Sequence, residues 1–228
     1  MKKYSRAAGA LAACMLVLFW ITAVIRWIAS DGGLMAAEML RNAPPEDTGI
    51  PAEEYPAMGA LTAAFLTGTG RFQFARAGEN GEEILYFHDY EEAHMKDVRD
   101  LVRLDTGVMS VSLAAAALLT AAGILLRDRE RFCRGILTGL RIMLGICSIL
   151  LVWALADFDG LFVTFHRAAF TNDGWLLNPR TDLLIRLMPQ RFFISLGIRG
   201  ALLALLMPAA LEIAARWGIH TMRRKNRK

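Results

Sequence analysis

The chain has 228 residues, of which 55% are hydrophobic, and carries a formal net charge of +4. With a mean hydropathy of +0.35, it is more apolar than a soluble domain, where about 45–50% is usual. The basic residues gather at the edges of apolar runs, which excludes a nucleic-acid-binding protein despite the basic pI. Cys14, Cys133 and Cys147 lie in apolar runs or a short basic loop, so no disulfide framework is expected.

Crossing a bilayer takes about 20 consecutive apolar residues. Four runs qualify: residues 7–29, 107–126, 136–156 and 192–215. The first follows Met1, Lys2 and Lys3. It is longer than the ~7–15 residues of a signal-peptide core and lacks a small-x-small cleavage site, so it reads as a retained anchor. Lys2, Lys3 and Arg6 precede it. Arg127, Arg129, Arg131 and Arg134 join the second run to the third, and Arg216, Arg223, Arg224, Lys225, Arg227 and Lys228 follow the fourth. Short basic segments stay in the cytoplasm, and four spans put all three groups on one side. Both termini are therefore expected in the cytoplasm, with residues 30–106 and 157–191 outside, in a single integral membrane domain over residues 1–228. Tyr4, Trp27, Trp153, Phe192 and Trp217 fall near span ends, as an interfacial aromatic belt requires.

In residues 30–106, Asp31 is placed to cap a short helix through Arg41, and Pro44, Pro45, Gly49 and Pro51 mark a loop. Residues 55–65 are apolar and helical in character. Arg71 to Ala75 and Glu83 to Phe87 flank Gly78-Glu79-Asn80-Gly81, which predicts a β-hairpin. Residues 89–104 predict a helix running on into the second span, with Met95, Val98, Leu101 and Val102 on one face. In residues 157–191, Leu161, Phe162, Phe165 and Phe170 have helical spacing, and Asn172-Asp173-Gly174 breaks the pattern. Thr181 and Asp182 are placed to cap a short helix over residues 183–188, which Pro189 ends. The expected class is mostly α: a bundle of four transmembrane helices with a small extracytoplasmic α+β subdomain.

Histidine is the side chain best suited to take and return a proton near neutral pH. His220 lies in the basic tail, whereas His88, His94 and His166 all fall in the outer segments. Taken alone, His94 fits a solvated helix surface and His88 a strand end, while His166, between phenylalanines, fits an amphipathic filler and a functional group equally. Asp97, three residues after His94, shares its helix face and is placed to orient an imidazole. Zinc is the rival explanation for three outer histidines, but no H-E-x-x-H or H-x-x-E-H occurs and no cysteine lies outside, so no metal is expected. Neither a G-x-S-x-G nor a phosphate-binding glycine loop is present; Gly68-Thr69-Gly70 lacks the continuation. Arg26, Arg141 and Arg199 interrupt the spans. The first two are near enough to span ends to snorkel, and Arg199 is placed to line an outward-facing cavity.

Two stretches resemble the bacterial lipoprotein intramolecular transacylase (Lit) family of integral membrane proteins. One is His94-Met95-Lys96-Asp97-Val98-Arg99-Asp100-Leu101. The other is the longer run from Phe165-His166 through Phe170, Asn172-Asp173, Trp175, Asn178-Pro179 and Thr181-Asp182, continuing through Leu184-Ile185 and Pro189 to Phe192-Phe193. The four-span plan matches as well. The resemblance implies an enzyme of the bacterial plasma membrane that moves an acyl chain within a diacylated lipoprotein. The chain leaves the glyceryl sn-2 ester and arrives on the amine of the lipid-bearing N-terminal cysteine, giving the lyso form. Amine and ester then belong to one substrate, so the reaction calls for no protein nucleophile and no cofactor. His94 and His166 are the expected acid–base pair, with Asp97 and Arg99 beside them. Asn172, Asp173, Trp175, Asp182 and Arg199 are the expected substrate-binding residues. Arg99, Asn172, Trp175 and a backbone amide are all open as donors to the tetrahedral oxyanion. The expected partners are the diacylated lipoprotein and membrane lipid, with no obligate protein partner, and the active site is expected at the outer leaflet. Two rival readings are a non-enzymatic sensor or assembly protein with a lipid- or protein-binding outer module, and a metal-dependent hydrolase of lipids. An enzyme requires His94 and His166 to converge, and a binding module does not.

Overall fold

The computed structural model describes residues 2–68, 70–77, 82–126 and 128–225. The predicted turn at Gly78 to Gly81, together with Thr69, Arg127, Arg227 and Lys228, lies outside them. Ten α-helices follow one another among the described residues: α1 (Lys2–Ser30), α2 (Gly32–Asn42), α3 (Pro45–Thr48), α4 (Tyr55–Leu66), α5 (Asp89–Leu125), α6 (Arg129–Ala156), α7 (Phe158–Ala169), α8 (Leu183–Leu187), α9 (Gln190–Ala204) and α10 (Leu206–Lys225). Two short strands, β1 (Ala75–Ala77) and β2 (Glu83–Leu85), lie between α4 and α5. Four helical stretches are long and apolar enough to cross a membrane: Tyr4–Ser30, Asp89–Leu125, Arg129–Ala156 and Gln190–Arg224. In α5 the continuous apolar run begins only after Asp105, and the turns before it are amphipathic, with Met95 and Val102 buried. The fourth stretch is α9 followed by α10. Pro208 has no N–H to give and its ring crowds the carbonyl four residues back, which accounts for the interruption at Leu205.

The chain divides into two compact units. The first comprises residues 1–24, 106–162 and 201–228. Small residues let its helices approach closely, as is usual where lipid removes the hydrophobic drive between helices. A methyl group added at Gly139 would lie 2.3 Å from the Ala10 carbonyl oxygen, and one at Gly9 would lie 2.2 Å from that of Phe132. Ala13, Val17 and Leu140 form the buried centre. The Trp20 indole N–H donates to the Leu203 carbonyl at 2.9 Å, which holds α1 against the end of α9.

The second unit comprises residues 25–105 and 163–200. Asp31 caps α2 as its sequence position suggests, accepting the Leu34 N–H at 2.9 Å. Helices α2 and α4 pack together at two glycines: a methyl group on Gly59 would meet the Gly32 carbonyl oxygen at 2.2 Å. The core gathers Met35, Met39, Ile50, Tyr55, Met58, Phe65, Phe72, Phe87, Met95, Leu187 and Phe192.

The expected α+β subdomain is corrected by this core. β1 and β2 pair antiparallel, but over only three residues each (Ala75 opposite Leu85, Arg76 opposite Ile84, Ala77 opposite Glu83). They supply no layer, and the unit is mostly α. The strand-like signal came from aromatic residues that serve another purpose. Phe72 and Phe87 are buried in the helical core, with ring centroids 4.6 Å apart, and Phe65 tilts against Phe72 at 5.4 Å. The predicted cap of α8 is corrected as well. Asp182 sits at the N-cap position but makes no side-chain hydrogen bond to the helix. The buried Glu91 of α5 accepts the Leu184 N–H instead, at 2.7 Å.

Candidate active site

His94 faces inward from α5 and His166 from the last turn of α7, and each is only 8% exposed. Their rings lie 6.1 Å apart, centroid to centroid. Phe170, one turn after His166, packs against both: its ring stands edge-on to His94 at 5.3 Å and tilts against His166 at 5.5 Å. Trp175 covers His166 from the following loop at 5.1 Å, and Phe165 meets its edge at 5.4 Å. Aromatic walls of this kind exclude water and fix both imidazoles.

Burial disfavours the imidazolium. His94 is pushed down to about 4, first by burial and then by the neighbouring His166, against the opposing pull of the Asp97 carboxylate. The ring is therefore neutral at physiological pH. Its Nδ1 is buried and has no hydrogen-bond partner among the described residues. Asp97 shares the face of His94 but acts on it through charge. Its Oδ2 accepts the Asn172 side-chain N–H at 2.9 Å, and Asn172 Oδ1 in turn accepts the Gly174 N–H at 2.9 Å. Asn172 thus ties the loop after α7 to α5.

The remaining predicted residues fall elsewhere. Arg99 sets its guanidinium 4.5 Å over the Phe65 ring, with its Nε buried and unbonded among the described residues. Asp173 is exposed on the turn. Asp182 is buried and fully engaged: it accepts from Tyr90 Oη at 2.7 Å, Thr181 Oγ1 at 2.6 Å and the Asn178 N–H at 2.7 Å. Burial opposes ionisation there, but these donors outweigh it and hold the carboxyl below the usual range. His88 is exposed and stacks on Tyr90 at 5.1 Å, and His220 is exposed on α10.

Arg199 belongs to a cluster that the sequence did not disclose. Its Nη2 lies 2.7 Å from Oε1 of the fully buried Glu38, off the hydrogen-bond direction. Ser195 Oγ donates to Oε2 at 2.5 Å and Asn42 Nδ2 to the same atom at 3.2 Å. Burial alone would raise the Glu38 carboxyl, but the Ser195 and Arg199 contacts bring it below its ordinary value. Glu91 was missed too. It is fully buried and accepts the His88 N–H at 2.8 Å as well as that of Leu184. A signal was available, since a Glu three residues after the residue preceding a helix is half of a capping box.

No group of three or more His, Cys, Asp or Glu able to hold a metal ion occurs among the described residues. The fold and the site together define a helical membrane protein with four candidate spans and a buried histidine pair. The sequence model of the lipoprotein intramolecular transacylase Lit matches residues 10–193, and the chain belongs to that family. Among solved structures it is similar to the membrane-integral lipoprotein intramolecular transacylase Lit from Bacillus cereus, at 18% identity over 98% of this chain and 96% of that one, with a TM-score of 0.70. A form of the Bacillus cereus protein with a histidine-to-arginine mutation matches at 15% identity, over 99% and 95%, with a TM-score of 0.71. A histidine-to-alanine form matches at 18%, over 98% and 94%, with a TM-score of 0.67. At these identities the likeness concerns the fold. No curated protein matches the chain in sequence.

The family reaction is intramolecular acyl transfer that converts diacylated lipoprotein to the lyso form. The chain is accordingly a multi-pass acyltransferase of the bacterial plasma membrane, with a diacylated lipoprotein as its substrate.

Proposed function

We propose that His94 and His166 are the acid–base pair of this transfer and that the reaction takes place at the outer leaflet. The observation that carries this reading is the convergence of two histidines from separate segments, both buried, with rings 6.1 Å apart. The amine nitrogen attacks the sn-2 ester carbonyl, the C–N bond forms, and the C–O bond to the glyceryl oxygen breaks. The proton lost by nitrogen ends on that oxygen, and the histidines carry it. His94, held neutral, is a weak base and takes the proton only once the C–N bond begins to form. The nitrogen is then a far stronger acid, and the imidazolium that results is a ready donor to the departing alkoxide. Asp97 steadies that imidazolium by charge, and Asn172 and Trp175 hold the loop and the second ring in place. Arg99, Asp182 and Arg199 have partners within the framework and are assigned to holding it.

The placement outside rests on the distribution of Lys and Arg. Alkaline phosphatase fused after Gly49 or Asp173 should be active, and fused after Lys228 inactive; the reverse pattern would overturn the assigned orientation. The chemistry is tested by mass spectrometry of lipoprotein N-termini in a host lacking N-acylation. Wild-type protein should give the lyso form and the His94→Ala, His166→Ala double variant none at matched expression. Wild-type yield from the double variant would leave the binding-module reading ahead.

A further inference from the structure

A cavity of about 250 Å³ opens on the Asp97 side of α5, lined by Asp97, Asp100, Leu101, Leu104, Phe170 and Asn172 among others. Phe170 is shared: it walls this cavity and touches both histidine rings, so the cavity abuts the pair. Its volume falls below the ~300–1,000 Å³ of pockets that take a whole drug-sized ligand. It suits a small polar head and excludes a pair of acyl chains.

The lining is divided in character. Leu101, Leu104 and Phe170 are apolar, while Asp97 and Asp100 set two carboxylates one turn apart on α5. Asp97 Oδ2 is fixed by the Asn172 amide, and its other oxygen takes no hydrogen bond among the described residues. Asp100 pairs with Arg103 at 3.0 Å, but both side chains are more than half exposed, and such a pair yields readily to a competing cation. His94 lies outside the lining and meets it through Phe170; it is 8% exposed, one turn before Asp97 on α5, with a buried Nδ1 that has no partner among the described residues.

We propose that this cavity is the acceptor subsite: it takes the amino terminus of the lipid-bearing cysteine, whose N–H groups Asp97 receives, and the next residue of the lipoprotein, whose side chain meets Asp100. The proposal rests on the assignment of proton transfer to His94 and His166. It makes the enzyme selective for the charge of the residue after the cysteine. Cationic side chains are favoured and acidic ones disfavoured, in a way that salt screens.

The test uses the full-length enzyme in micelles at low ionic strength with three synthetic diacylated lipopeptides that carry Lys, Ser or Asp after the cysteine. Wild type should convert the Lys peptide roughly tenfold faster than the Asp peptide. Asp100→Asn should shrink that ratio several-fold, and Asp100→Lys should invert it. Because the readout is a ratio within one preparation, a general loss of folding or turnover leaves it untouched. The same ratio in wild type and both variants, or no preference in wild type, overturns the subsite. Conversion of the Ser peptide by the His94→Ala, His166→Ala double variant overturns instead the reading on which it rests.

Discussion

Glu91 and His94 lie less than one turn apart on α5 and are both buried, yet their polar atoms are treated differently. Both carboxylate oxygens of Glu91 are occupied by backbone N–H groups, from His88 and Leu184. Its neighbour Tyr90 is bonded to Asp182, which accepts two further donors. Next to this saturated group, His94 Nδ1 has no partner among the described residues, and Asp97 keeps an oxygen in reserve. Most buried polar groups are hydrogen-bonded; of the open ones, which include Glu38 Oε1, Arg99 Nε and Asp105 Oδ2, His94 Nδ1 is the one that belongs to the converging histidine pair. On the proposed assignment, the same helix holds the framework with its first turn and offers chemistry with the next.

The sharpest way to break this comparison is to remove the open groups. His94→Ala and His166→Ala should each lower lyso-form production about 10²–10⁴-fold, the usual worth of general acid–base assistance. Protein level and insertion should match wild type, since neither residue lies in an apolar span. His88→Ala and His220→Ala, both at exposed positions, should stay close to wild type. A single-histidine variant with full turnover per folded molecule would refute the pairing.

Removing a group that holds the framework should do the opposite, costing stability before activity. Glu38→Leu leaves Arg199 unpaired and Ser195 without its acceptor. It should cost about 3 kcal/mol, the low end for breaking a buried ion pair, because the Arg199 side chain is 42% exposed. The double variant Glu38→Leu, Arg199→Leu should recover much of that loss in detergent unfolding, since no charge is then stranded. Equal losses in the single and double variants would mean that the pair itself, rather than the stranded charge, sets the cost. Glu91→Ala comes next, at about 2 kcal/mol for two stranded N–H groups. Activity normalised to folded protein should hold up better there than in either histidine variant.

The contrast also sorts what was legible in the sequence. The four spans, the Asp31 cap and the passage of the α5 helix into an apolar stretch all follow from local patterns, because each depends on neighbours within a turn or two. The two histidines were nominated by residue type and resemblance, and their shared aromatic partner Phe170 became visible only in the fold. The Glu38–Arg199–Ser195 cluster and the Glu91–Leu184 bond join residues far apart in the chain, and no spacing rule reaches that far. The α+β expectation failed for a related reason: Phe72 and Phe87 read as strand residues, but burial against Phe65 in a helical core is what their side chains satisfy.

The smallest expected effect is a shift in titration, and it bears directly on why His94 is left open. An exposed histidine titrates near 6.5, whereas burial and His166 hold His94 at about 4. Between these values the unfolded chain binds a proton at this position that the folded chain does not. The linked stability is therefore fully present above about 6.5 and is lost as pH falls toward 4. Nitrogen-15 histidine NMR in micelles should show one imidazole still neutral at pH 5.5, and its signal should be the one missing from His94→Gln. Asp97 is the group that pulls this value upward. Asp97→Asn should therefore move the titration lower still, by a fraction of a unit, since the carboxylate acts across space and its hydrogen bond goes to Asn172. A signal that titrates near 6.5 in the wild type would mean that the ring is solvated and that the pocket does not hold a neutral base. An upward move in Asp97→Asn would mean that the carboxylate favours the neutral ring, contrary to its charge.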